Sequence, residues 1–137
     1  MYLKKYSPYP EQPDSTMSES RVFQVRNLRT GNSLGESIRP AVTVWTRFVG
    51  LLGRSSLAAG EGLWIEPCSS IHMFFMRFAI DAVFVDRSAT VTRVVSNLVP
   101  WRIASGGRGA HAVLEVPVGT VLSSGTREGD VLEKTPA

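Results

Sequence analysis

The sequence is poor in the residues that build cross-links and metal centres, because its 137 residues include one cysteine and two histidines. A single cysteine rules out a disulfide within the chain and favours a reducing compartment. Long apolar runs are also missing. No stretch approaches the roughly 20 residues of a membrane-spanning helix, and none follows Lys4 and Lys5 as a secretory signal requires. We therefore expect a cytoplasmic protein without a membrane partner.

The excess of positive over negative charge is also small. The formal net charge is +3, from 15 basic and 12 acidic residues, and most arginines stand singly rather than in blocks. Proteins that bind nucleic acid concentrate positive charge on one face or along one stripe. The charge pattern therefore predicts that nucleic acid is not a partner.

The chain divides by composition into two parts. Residues 1–20 are rich in proline, serine and tyrosine and show no periodicity, which predicts a disordered tail. Met17 lies close to the start of the regular pattern and is a candidate for the true first residue. Residues 21–137 have the length and the apolar content of a single domain with one core.

Most of the elements predicted in this domain are short strands. Segments rich in β-branched and aromatic residues occupy 21–28, 63–65, 80–86, 90–95, 110–116 and 131–133. The short link of residues 87–89 predicts a hairpin between two of these strands. The glycines within residues 30–37 predict a loop.

One segment changes to a helical period. Trp45, Phe48, Val49 and Leu52 recur at the spacing of one helical face, so residues 43–53 are the predicted helix. Residues 121–124 could add one further turn. About seven short strands with one short helix predict an all-β fold, either a compact distorted barrel or a jelly-roll-like sandwich.

The most apolar part of the chain, residues 67–86, also carries four chemically active side chains. These are Cys68, His72, Arg77 and Asp81. Burying such groups costs free energy unless each finds a partner. Asp86 adds a second carboxylate at the end of the segment. The segment is therefore where we expect a functional site.

Several short motifs carry a family resemblance. They are Arg47 with 50–54, Gly60-Glu61-Gly62-Leu63, 67–72, Phe75-Met76, Ile80-Asp81, 83–86, Asn97 with Pro100-Trp101-Arg102, and 113–117 with Gly119. In this order they resemble the domain of unknown function 192 family of small bacterial and archaeal proteins. The resemblance implies a compact barrel-like or jelly-roll-like domain and no settled activity. Met73 and Ala79 depart from the family pattern, which often has threonine and proline there.

The leading functional interpretation is a binding site for a small molecule, without a metal ion or a cofactor. The candidate ligand-binding residues are His72, Arg77, Asp81, Trp101, Arg102 and Glu115. His72 and Asp81 would hold polar groups of the ligand, the arginines would face an anion, and Trp101 would form a wall. In the alternative reading, Asp81 is a structural ion pair or caps backbone N–H groups.

Two other classes of function remain open. A hydrolase or metal-assisted enzyme could use His72 and Asp81 as catalytic residues, with Glu115 as a further acid–base group. Cys68, His72 and Met76 form a soft ligand set, but eight residues of a strand span about 26 Å, which favours structural roles for them. Cys68 is also a weak candidate nucleophile. A protein-interaction module would use strand edges or the residues 1–20.

Overall fold

The computed structural model describes residues 21–41 and 55–137. The predicted tail of residues 1–20 and the predicted helix of residues 43–53 lie outside these ranges. Within them, the chain forms nine strands and one short helix. The elements are β1 (Phe23–Asn27), β2 (Ser33–Ala41), β3 (Glu61–Ile65), β4 (Ser70–His72), β5 (Ile80–Val85), β6 (Val91–Leu98), β7 (Ile103–Ser105), β8 (Ala112–Val116), α1 (Thr120–Ser124) and β9 (Leu132–Pro136).

Seven of these strands form one sheet in the order β6-β5-β8-β3-β2-β1-β9, and β4 pairs with β7 in a second, small sheet. The strand pairs are antiparallel except for β2 with β3, which is parallel. The outermost strands meet at one end, where Thr90 bridges Val131 and the Val91 N–H donates to the Asp130 carbonyl at 2.7 Å. The large sheet is therefore curled into a half-barrel.

The curl divides the apolar side chains into two cores. The inner core joins residues from distant strands of the sheet and from α1: Val25, Leu34, Ile38, Trp64, Val83, Val85, Val91, Ala112, Leu114, Val116, Val121 and Leu132. The outer core lies between the large sheet and the small sheet: Ala41, Leu63, Ile65, Ile71, Met73, Met76, Ile80, Ala82, Phe84, Leu98, Ala104 and Val113. The small sheet and α1 thus cover different faces of the half-barrel.

Strand β5 shows why the central run is so apolar. All six of its residues are buried, because the strand lies within the sheet and packs on both faces. Ile80, Ala82 and Phe84 belong to the outer core, whereas Val83 and Val85 belong to the inner core. Since side chains alternate along a strand, Asp81 points to the inner side.

The predicted all-β class and the predicted hairpin, formed by β5 and β6, are confirmed. The predicted loop at residues 30–37 holds for residues 30–32 but is wrong from Ser33, where β2 begins. Leu34 and Ile38 are buried in the inner core and hold this strand despite Gly35. A Cβ on Gly35 would lie 2.6 Å from Ile38 Cδ1, so the glycine serves close packing rather than a turn.

Candidate functional site

The outward face of the small sheet leads into an exposed aromatic surface. His72 at the end of β4 pairs with Ile103 at the start of β7. Their neighbours Ile71 and Ala104 belong to the outer core, so alternation directs His72 and Ile103 away from it. Both residues are exposed. The chain segments that follow β4 and precede β7 therefore continue this outward face.

Four side-chain rings on these segments lie next to one another in a row. We call this surface the aromatic ledge, and its residues are His72, Phe74, Phe75 and Trp101. The ring centroids of His72 and Phe74 are 4.9 Å apart, and those of Phe74 and Trp101 are 5.8 Å apart, both in stacked geometry. Phe75 meets Trp101 at 4.9 Å with an interplanar angle of 60°. Phe75 is 71% exposed and Trp101 is 59% exposed. The last pair thus forms an open corner of two rings.

The backbone at this corner is held in an unfavourable conformation. Phe75 and Trp101 have φ of 68° and 70°, in the left-handed region that costs a bulky residue about 1–2 kcal/mol. Buried Met73 fixes both segments, because its N–H donates to the Arg102 carbonyl at 2.7 Å and its carbonyl accepts the Trp101 N–H at 2.8 Å. Such local strain persists only where the surroundings impose it. The two rings are therefore preorganised.

Two arginines belong to the chain segments that carry the aromatic ledge. Arg102 follows Trp101 directly, Arg77 follows Met76 close to Phe75, and both arginines are exposed. Among the described residues, neither guanidinium forms an ion pair. The His72 Nδ1 accepts the Phe74 N–H at 3.3 Å, a bond that needs an unprotonated Nδ1. A neutral His72 ring then carries its proton on Nε2.

The hydrogen bonds of the Asp81 carboxylate give it a structural role. Its Oδ1 accepts the Asn97 N–H at 2.9 Å, and its Oδ2 accepts the Gly119 and Val121 N–H groups at 3.1 and 3.0 Å. Asp81 is 1% exposed, and its side chain lies on the inner side of the sheet. His72 lies beyond the outer core, on the exposed side of the small sheet. The structure therefore does not bring Asp81 to His72, and Asp81 instead ties β6 to the start of α1.

Glu115 lies on the opposite face of the large sheet from Asp81. It pairs with Ala82 and Leu63, both of the outer core, whereas Asp81 faces the inner core. Glu115 is 6% exposed. Burial raises the pKa of its carboxyl to about 7, and no charge or hydrogen bond among the described residues opposes this rise. Glu115 is therefore a buried acid that is separated from Asp81 by the sheet itself.

Of the six predicted site residues, the structure thus brings His72 and Trp101 to one surface through the ring of Phe74. Arg77 and Arg102 are exposed residues of the segments that carry this surface. Phe75 is missing from the prediction. It lies in an apolar run that reads as core, and its positive φ leaves no mark on the sequence. The neighbouring Trp101-Arg102 pair is the signal that pointed to this region.

A polar cluster that the sequence did not predict surrounds Glu66. The Trp64 indole N–H donates to Glu66 Oε1 at 2.7 Å, and His111 Nε2 lies 3.3 Å from Glu66 Oε2. Lys134 Nζ lies 4.6 Å from the Trp64 ring centroid and 4.0 Å from Glu66 Oε1. Since each of these groups has a partner, the cluster stabilises the end of β3 and offers no open position.

A second polar cluster stabilises the closed end of the half-barrel. Arg29 Nε donates to Asp130 Oδ1 at 2.6 Å, and the buried Asn27 Nδ2 donates to Asp130 Oδ2 at 2.9 Å. The hydrogen bond from Arg29 is the largest of the effects that hold the pKa of the Asp130 carboxyl below its usual range. Asp130 thereby ties β1 to the turn that precedes β9.

An open cleft lies away from the aromatic ledge. Its volume is about 520 Å³, and it is lined by Ser33, Leu34, Gly35, Glu36, Ala59, Gly60, Pro117, Val118, Gly119, Thr120 and Ser123. None of the six predicted site residues lines it. Its hydroxyl groups largely hydrogen-bond within the chain, as in the bond from Ser123 Oγ to the Thr120 carbonyl at 3.2 Å.

The described residues also bear on a metal site and on the Cys68 thiol. Within residues 21–41 and 55–137, no three His, Cys, Asp or Glu side chains come close enough to hold a metal ion. Cys68 packs against the outer core, and its thiol donates to the Ser70 carbonyl at 3.1 Å. In the same ranges, no helix has the length and apolar character needed to cross a membrane.

The sequence matches one family. Residues 26–134 fit the domain of unknown function 192 family, which is described as "Uncharacterized ACR". The chain belongs to this family. The expectation from the sequence motifs is therefore confirmed.

Curated relatives with the name UPF0127 protein support this assignment. The relative from Pyrococcus furiosus is 31% identical over 110 residues, which cover 78% of this chain and 94% of the relative. The relative from Thermococcus kodakarensis is 35% identical over 68 residues, and the one from Thermococcus sibiricus is 37% identical over 65 residues. These two matches cover 50% and 47% of this chain but only 43% and 42% of the relatives.

Two crystal structures have a similar fold. One is a candidate transcription regulator from Sinorhizobium meliloti, with a TM-score of 0.74 and 25% identity over 85% of this chain and 95% of that one. The other is a protein of unknown function from Novosphingobium aromaticivorans, with a TM-score of 0.68 and 23% identity over 82% and 83% of the two chains. The second resemblance concerns the fold alone.

Proposed function

We propose that this domain is a small-ligand-binding module and that the aromatic ledge is its binding surface. The ligand that fits is a small molecule with a flat apolar group and an anionic substituent. One observation carries the proposal: Phe75 and Trp101 are exposed, meet at 60°, and are both held at positive φ. Their exposure and their strain have no evident structural purpose in the described part of the domain.

The corner of two rings would bind the apolar part of the ligand. A flat group that stacks on Trp101 would meet Phe75 at an angle, and contacts between aromatic rings contribute about 0.5–1.5 kcal/mol beyond burial. Because Met73 fixes the backbone on both sides of the corner, the ligand would not have to order it. Preorganisation of this kind improves affinity by lowering the entropic cost of binding.

The charged side chains would bind the anionic substituent. Guanidinium groups hydrogen-bond carboxylate and phosphate in a bidentate manner, and the guanidinium groups of Arg77 and Arg102 are exposed and unpaired among the described residues. The Nε2 of His72 adds a further donor. A hydrolase based on His72 and Asp81 is less well supported, because Asp81 is buried and already accepts three backbone hydrogen bonds. The presence of only one cysteine in the sequence supports a cytoplasmic location.

The proposal can be tested by NMR titration of the full chain with phenyl phosphate and indole-3-carboxylate. Indole and inorganic phosphate are the matched probes, since each has half of the required chemistry. We expect the two complete probes to shift the indole resonance of Trp101 and to bind about tenfold more tightly than either half, or about 1.4 kcal/mol. If the complete probes leave the resonances of the aromatic ledge in place, the proposal is wrong.

Substitutions separate the two halves of the site. Trp101→Ala should abolish binding of both complete probes, whereas Leu122→Ala, at an 87% exposed position on α1, should not. Arg102→Gln should weaken the anionic probes and leave indole unaffected. Arg127→Gln, at another exposed arginine, is the matched control. Wild-type affinity in the Trp101→Ala variant would also refute the assignment of the site.

A further inference from the structure

The aromatic ledge also has the properties of a surface that receives a proline-containing peptide. Prolines fix φ near −65° and lower the entropic cost of ordering a segment, and segments with the spacing PxxP dock on aromatic-lined surfaces. The exposed rings of Phe75 and Trp101 offer such a surface, which the exposed Ile103 extends. Arg77 and Arg102 would favour a peptide with acidic residues.

One segment of this chain has the complementary composition. Residues 7–14 read Ser-Pro-Tyr-Pro-Glu-Gln-Pro-Asp, with three prolines, one tyrosine, two carboxylates and no basic residue. Pro10 and Pro13 stand at the PxxP spacing. Glu11 and Asp14 carry the charge opposite to that of the two exposed arginines. This segment is absent from the described residues.

We infer that residues 7–14 bind to the aromatic ledge and compete there with the small ligand. The inference rests on the proposed function, because it gives the same surface a second occupant. Arg21, which is the first described residue, lies eight positions after Pro13. Extended, these eight residues span at most about 26–29 Å. That distance is close to the roughly 30 Å diameter of a small domain.

The expected effect follows from the tether. A short linker gives an effective concentration in the millimolar range. If the segment alone binds with a dissociation constant of about 0.1 mM, it occupies the ledge roughly nine-tenths of the time. The apparent affinity of any competing ligand then falls about tenfold.

The experiment compares full-length chains. Pro10→Ser with Pro13→Ser removes the PxxP spacing, and Tyr2→Ser with Leu3→Ser is the matched control outside the segment. The probes are a synthetic peptide of residues 7–14 and phenyl phosphate, observed through the indole resonance of Trp101. We expect the proline variant to bind both probes about tenfold more tightly than the wild type. The control variant should bind them as the wild type does.

The outcomes separate the two proposals. If phenyl phosphate binds at the ledge but the peptide does not shift Trp101 in the proline variant, the inference is wrong and the proposed function stands. If the peptide binds and Trp101→Ala abolishes it, while phenyl phosphate does not bind, the ledge is a peptide surface and the small-ligand function is wrong. If both probes bind equally well to the wild type and the proline variant, the chain's own segment does not compete, and the inference is overturned.

Discussion

Replacing Glu115 with glutamine removes a carboxyl group from the outer face of the large sheet while keeping its shape. In the wild type this group is buried beside Leu63 and Ala82. Burial raises its pKa from 4.5 to about 7. The folded protein therefore holds a proton that the unfolded chain loses between these two pH values.

The sign and the size of the effect follow from this difference. The stabilisation of the protonated acid is fully present below pH 4.5 and is lost as the pH rises through the folded-state pKa of about 7. At 1.36 kcal/mol per pH unit, the wild type loses about 3 kcal/mol of unfolding free energy across this window. Glu115→Gln has no proton to lose. The stability of the variant relative to the wild type should therefore rise by about 3 kcal/mol between pH 4.5 and pH 8.

The assay is urea unfolding followed by far-UV circular dichroism at pH 4.5, 6 and 8. Both proteins share their other ionisable groups, so the difference between them isolates Glu115. Glu128→Gln, at an exposed position, is the matched control and should keep the pH dependence of the wild type. If the wild type and Glu115→Gln change in parallel from pH 4.5 to pH 8, the carboxyl does not titrate as a buried group, and the reasoning is wrong.

Two further substitutions test the polar groups that hold the half-barrel together. Asp81→Asn leaves one acceptor oxygen for three backbone N–H donors. The substitution should therefore lower the unfolding free energy at pH 7 by about 2–4 kcal/mol. An unchanged urea midpoint would show that these bonds add no net stability. Because Arg29 and Asn27 hold the pKa of Asp130 below its usual range, its contribution is present above pH 3.8 and is lost as the pH falls further. Asp130→Asn should therefore be less stable than the wild type at pH 7 and should lose less stability between pH 4 and pH 2.5, as measured by urea unfolding; an acid limb identical to that of the wild type would contradict this.

Elements formed by residues that are adjacent in the chain could be predicted from the sequence. Elements that depend on close packing between distant segments could not. The hairpin of β5 and β6 follows from two apolar strands and a short link, which are adjacent in the chain. Strand β2 escaped prediction because Gly35 normally marks a turn. Here the glycine instead allows Ile38 to pack closely, and that requirement arises only when the half-barrel is assembled.

The candidate site was predicted in part for a similar reason. Asp81 and Glu115 lie on neighbouring strands at almost the same level, with Ala82 opposite Glu115, and a sequence argument could place them together. Pairing register fixes the face of every side chain, and a difference of one residue sends these two carboxyls to opposite faces. Trp101 could be predicted because a tryptophan beside an arginine often marks a binding surface.

Strand β1 has β2 on one side and β9 on the other, and β9 is far away in the chain, since Asn27 pairs with Leu132. During translation, one hydrogen-bonding edge of β1 therefore stays open until β9 has left the ribosome. An open edge can pair with a strand of another molecule. An incomplete chain on the ribosome therefore exposes a strand edge that the folded chain covers. We expect that slower synthesis leads to more aggregation and to a lower yield of folded protein.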